Sequence, residues 1–102
     1  TGTAHLDDNS ALDRGGDNAG NGGGIYVTSS TSDVNVQVLS GAVTNNTSDM
    51  NGGGLCVDMA TTTTTANVTI GKSGSTNLLN PDISGNEAVM YGGGLYAIGE
   101  NA

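Results

Sequence analysis

Three glycine triplets run straight into apolar residues: "NGGGIYV" at 21–27, "NGGGLCV" at 51–57 and "YGGGLYA" at 91–97. Glycines of this kind suit a phosphate cradle, but that chemistry needs a helix after the loop to supply free N–H groups and a dipole. The following residues, "IYVTSS" and "LYAIGE", are β-like. "GKSGS" at 71–75 contains Gly-Lys-Ser, yet Ala66 stands where the upstream glycine of that motif belongs. Carboxylates come next. Asp7, Asp8, Asp13 and Asp17 fall within "DDNSALDRGGDN" and could share a hard cation such as Ca²⁺. Ala11 sits where an EF-hand would place a ligand, so a solvated acidic stretch without a cofactor is the expectation, with calcium the alternative. Asp33, Asp49, Asp58 and Asp82 stand singly, whereas polysaccharide cleavage needs convergent carboxylates. His5 and Cys56 are the only His and Cys, and nucleophilic catalysis would need them together. We expect no catalytic residue and no metal site.

The elements that must position these groups emerge from repetition. The triplets begin at Gly22, Gly52 and Gly92, at spacings of 30 and 40 residues. "VTNN" at 43–46 and "ISGN" at 83–86 precede the second and third triplets at one fixed distance. Asp13 and Gly16 occupy those positions before the first triplet, so residues 1–20 are expected to form a degenerate N-terminal coil or cap. "VNVQVL" at 34–39 and "ANVTI" at 66–70 alternate strictly between apolar and polar residues, which marks half-buried strands. Length differences between units fall in "TTTTT" and in "GKSGSTNLLNP", between the predicted strands.

Each unit therefore has a GGG strand, a Val-rich strand and an Asn-element strand. The predicted fold is all-β: a right-handed parallel β-helix of about three coils, three short strands per coil, over residues 21–102. Ile25, Leu55 and Leu95 would stack inward, as would Val27, Val57 and Ala97. Tyr26, Cys56 and Tyr96 would face outward. Asn46 over Asn86 would form an amide ladder at a corner, where Asn tolerates a left-handed backbone. The glycines would turn corners with positive φ and let neighbouring coils approach.

The pairing of apolar-x-x-Asn with GG[AG][ILV], here "VTNN…GGGL" and "ISGN…GGGL", resembles the repeats of chlamydial polymorphic outer-membrane proteins and related bacterial adhesin-like proteins. The family's usual Phe and Ala are replaced by Val43, Ile83 and Gly54, so the likeness is to the broader class. It covers roughly residues 20–98. The resemblance implies an exported right-handed β-helix engaged in adhesion, without catalytic residues.

Charge narrows the partners. The 102 residues carry only Arg14 and Lys72 against ten acids, a formal net charge of −8. Nucleic acid is thereby disfavoured, and no apolar run is long enough to insert in a membrane. Cys56 stands alone, so no intrachain disulfide or CxxC metal pair can form. The Gly/Thr/Asn-rich, Lys-poor, acidic composition suits the extracellular space or a cell surface. The expected function is a structural or adhesive module, displaying Tyr26, Tyr96, Thr61, Thr63 and Thr65 to a host surface or glycan. Self-association, or packing against neighbouring coils of a longer chain, is expected because the sequence stops just after a GGG strand; end-to-end stacking would make fibres. The alternative is a carbohydrate-binding or polysaccharide-processing β-helix fragment. Asn45, Asn46 and Asn67 lie in N-x-[ST] sequons, which matter only in a source that glycosylates.

Overall fold

A computed structural model describes residues 4–15, 20–29, 32–59, 65–71 and 81–99. The described residues form an all-β structure in which every strand pairing is parallel. The strands fall into successive layers. The first holds β1 (His5–Asp7), β2 (Ser10–Ala11), β3 (Ile25–Val27) and β4 (Val34–Val38). The second holds β5 (Ala42–Thr44), β6 (Thr47–Ser48), β7 (Leu55–Asp58) and β8 (Ala66–Ile70), and the third β9 (Asp82–Ser84), β10 (Glu87–Ala88) and β11 (Leu95–Ile98). Each strand pairs with its counterpart in the next layer, giving sheets β1-β5-β9, β2-β6-β10, β3-β7-β11 and β4-β8.

The registers match the sequence repeat. Leu55 pairs with both Ile25 and Leu95, and Val34, Val36 and Val38 pair with Ala66, Val68 and Ile70. Two features of the layering differ from expectation. A fourth strand position, β2/β6/β10, follows the Asn element; its strands are two residues long, too short for any periodicity to betray. The first layer is also fuller than a fixed spacing implies. Leu6 pairs with Val43, and Asn9 takes the place of Asn46 and Asn86. Asn9 lies 13 positions before Gly22, where Asn46 lies 6 before Gly52, so 7 extra residues hide "LDDN" at 6–9 from a search at constant distance.

The Asn column is a continuous ladder. Asn46 Oδ1 accepts from the backbone N–H and the Nδ2 of Asn9, both at 3.0 Å. Asn46 Nδ2 donates to the Leu6 carbonyl and to Asn86 Oδ1, and the Asn46 N–H also reaches Asn86 Oδ1. Asn86 Nδ2 closes the pattern on the Val43 carbonyl at 2.7 Å. Asn46 is fully buried, so these bonds are what make its burial tolerable. The left-handed backbone lies one residue earlier than expected, at Asp8, Asn45 and Gly85 (φ 57°, 55° and 66°), three residue types that adopt it readily.

At the opposite corner the first glycine of each triplet has φ near +67°. The second and third glycines serve close approach: a Cβ on Gly53 would strike the Glu87 carbonyl, and one on Gly54 would lie 2.6 Å from the Gly94 carbonyl oxygen. Gly52, Gly53 and Gly54 donate to the carbonyls of Tyr91, Gly92 and Gly93 at 2.9–3.1 Å, and the first triplet donates to the second in the same way.

Leu55, Val57, Met59 and Ala66 form the buried core, with Ile25, Val27, Val34, Val36 and Val68 packed on it. Met59 lies beyond the end of β7 and escapes a pattern-based core list. Among the described strands β7 has a neighbour on both sides, whereas β11 and β8 are paired on one side only, and their Leu95 (39%) and Ile70 (44%) keep part of their surface exposed.

Candidate contact surface

Tyr26, Cys56 and Tyr96 share one register column across β3, β7 and β11, on the face opposite Leu55 and Val57. The glycine corner decides what lies beside that column. The left-handed Gly22, Gly52 and Gly92 fold the chain back so closely that an added Cβ would sit 2.7–2.8 Å from the Cβ of Tyr26, Cys56 and Tyr96 respectively. The residue before each of these glycines is therefore brought next to the column. Those residues are Asn21, Asn51 and Tyr91.

This produces a feature that the sequence reading lacks. Tyr91, bridged in parallel to Asn51, stacks with Tyr96 in the same layer: the ring centroids are 6.3 Å apart and the planes differ by 19°. Tyr91 is 61% exposed and Tyr26 38%. The signal was the position itself, where the third copy replaces Asn by Tyr. Asn21 is buried and its Oδ1 accepts from the Asn51 N–H at 3.1 Å, tying the first two layers together.

Cys56 corrects the outward assignment. Its side chain is on the outward face, yet it is fully buried. A small residue flanked by tyrosines in the layers on either side, with the Gly52 turn against its Cβ, is covered although it does not point into the core. Burial, and then the nearby Asp58 carboxylate, push its thiol up to about 11. A thiol so shifted is protonated at neutral pH and is a poor nucleophile. The Tyr26 phenol is also pushed up, by burial first and then by Asp58 and Cys56, with hydrogen bonds to Asn21 and Thr28 opposing the shift. His5 pairs with Ala42 in a different sheet from Cys56.

Thr61 and Thr63 lie outside the described residues. Thr65 is half-buried; its N–H donates to Asp33 Oδ1 at 2.8 Å and its carbonyl accepts from Val34 N–H, so it belongs to the β4–β8 ladder and not to the tyrosine column. No protein-family model, curated protein or solved structure matches the chain.

The acidic groups have local roles. Asp7 Oδ1 accepts from Thr44 Oγ1 and Asn45 Nδ2, Asp49 accepts from the Asp13 N–H, and Asp13 Oδ1 from the Gly15 N–H. Asp17 lies outside the described residues. Among the described residues no group of three or more His, Cys, Asp or Glu is placed to hold a metal ion.

Proposed function

We propose that the chain is a right-handed parallel β-helix serving as a non-catalytic structural or adhesive module of a secreted or cell-surface protein. Parallel strands of one sheet are joined by right-handed connections in about 98% of cases, which supports the handedness. The stacking of equivalent residues layer upon layer agrees with the likeness to adhesin-like repeats. The observation that carries the functional reading is the tyrosine face: Tyr26, Tyr91 and Tyr96 stand partly exposed on a frame whose register is fixed by backbone ladders. Tyrosine combines apolar area with a polar tip, the combination that contact surfaces favour. The carboxylates bonded singly to neighbouring loops support display over polysaccharide cleavage.

Adhesion of beads coated with the protein to matrix-coated surfaces tests this reading. The triple variant Tyr26→Ala/Tyr91→Ala/Tyr96→Ala loses adhesion while Thr65→Ala retains it; equal adhesion by the triple variant contradicts it. Release of reducing ends from a polysaccharide would favour the enzymatic alternative instead. End-to-end assembly into fibres predicts sedimentation that grows with concentration, and a stable monomer at high concentration would remove that part of the proposal.

A further inference from the structure

Tyr26 and Tyr96 occupy one column two layers apart, about 9.6 Å along the stacking axis at about 4.8 Å per layer. Cys56, between them, contributes no ring. The Tyr91 and Tyr96 rings form a nearly parallel, offset-stacked pair with centroids 6.3 Å apart. Tyr26 is 38% and Tyr91 61% exposed, so part of this ring surface is open to solvent. Among the described residues, the polar groups that act on the column are uncharged or anionic: Thr28 and Asn21 bond the Tyr26 phenol, and Asp58 lies near both Tyr26 and Cys56.

This combination specifies a ligand class. Flat, partly exposed rings suit the C–H faces of pyranose sugars, and hydroxyl and carboxylate oxygens at the edge suit sugar hydroxyls. A formal net charge of −8 repels acidic glycans. In an extended β-1,4-linked chain successive rings are flipped, so the same ring face recurs every second sugar. That repeat is close to the two-layer spacing of Tyr26 and Tyr96, with the flipped sugar crossing Cys56. We propose that this face binds an uncharged, extended β-1,4-linked glycan lying along the stacking axis, its alternate rings over Tyr26 and the Tyr91–Tyr96 pair. The proposal deepens the display reading and rests on it for the availability of this face.

NMR titration of the full 102-residue chain with cellohexaose, chitohexaose and mannohexaose tests it. At least one of these saturates, with amide shifts centred on Tyr26, Cys56, Asp58, Tyr91 and Tyr96. Maltohexaose, which curls, and an oligogalacturonate, which is charged, bind at least about tenfold more weakly. Tyr91→Ala, at an exposed position, weakens binding at least about tenfold with an unchanged unfolding midpoint. No shift at millimolar concentration with any of the three, shifts centred elsewhere, or equal affinity for maltohexaose overturns the inference. The bead assay separates the two ideas. Tyrosine-dependent adhesion without glycan shifts keeps the display reading and sinks the glycan; adhesion indifferent to the triple variant sinks the display reading, whereas the titration stands on its own.

Discussion

Asn46 and Cys56 both lie in the middle layer, both are fully buried, and both have a counterpart above and below. Their columns are built differently. The Asn column keeps one residue type in all three layers, Asn9, Asn46 and Asn86, because each amide hands hydrogen bonds to the next. The other column reads Tyr26, Cys56, Tyr96, and no side-chain hydrogen bond runs between successive members. A directional force fixes identity from layer to layer; volume filling fixes only size. Strict repetition therefore marks the frame, and variation within a column marks a surface free to take on a contact role.

The sharpest way to break this comparison is to remove the ladder's centre. Asn46→Ala takes a partner from the Asn9 N–H and from the Leu6 carbonyl, while Asn86 Oδ1 keeps the backbone N–H of residue 46; at about 1–3 kcal/mol for each of the two orphaned groups, we expect a loss of about 2–6 kcal/mol in urea unfolding. A cost no larger than that of Cys56→Ala would end the distinction. Next in size is Gly54→Ala, whose Cβ would lie 2.6 Å from the Gly94 carbonyl oxygen and 2.9 Å from Asn86 Nδ2. It should destabilise by about 1–3 kcal/mol. At the equivalent Gly94 the nearest atom is Ile83 Cγ2 at 3.6 Å, an ordinary contact, and Gly94→Ala should cost well under about 1 kcal/mol. Cys56→Ala, which removes only a filler, is expected to cost about 1 kcal/mol.

A further effect is a pH dependence. The Cys56 thiol rises from 9.0 to about 11 on folding, so the folded chain holds the proton more tightly than the unfolded one. Its contribution is complete below pH 9 and is lost as pH rises through about 11. Stability should fall across that window, and Cys56→Ala should flatten the fall. Tyr26, also raised from 10.0, acts with the same sign and leaves a residual slope in the variant. Thiolate absorbance appearing at pH 9 in the folded protein would show that the thiol is not shielded.

The alternation in 34–38 and 66–70 and the three glycine triplets were enough to predict which residues pair, because period-two burial and backbone close approach leave direct marks on composition. Four things were not legible. β2, β6 and β10 are two residues long and have no period. Asn9 was hidden by an insertion that fixed spacing cannot cross. The burial of Cys56 depends on tyrosines 30 and 40 residues away, and the Tyr91–Tyr96 pair on a turn that folds back beside the strand. Contact face and frame thus differ in legibility for the reason they differ in construction: repetition can be read, and proximity created by a corner cannot.

The layered register is tested most directly by NOE contacts of the Asn46 side-chain amide in labelled protein. The account predicts cross-peaks from its Nδ2 protons to both Asn9 and Asn86, with slow solvent exchange. Cross-peaks confined to residues near in sequence, or rapid exchange of those protons, would contradict it.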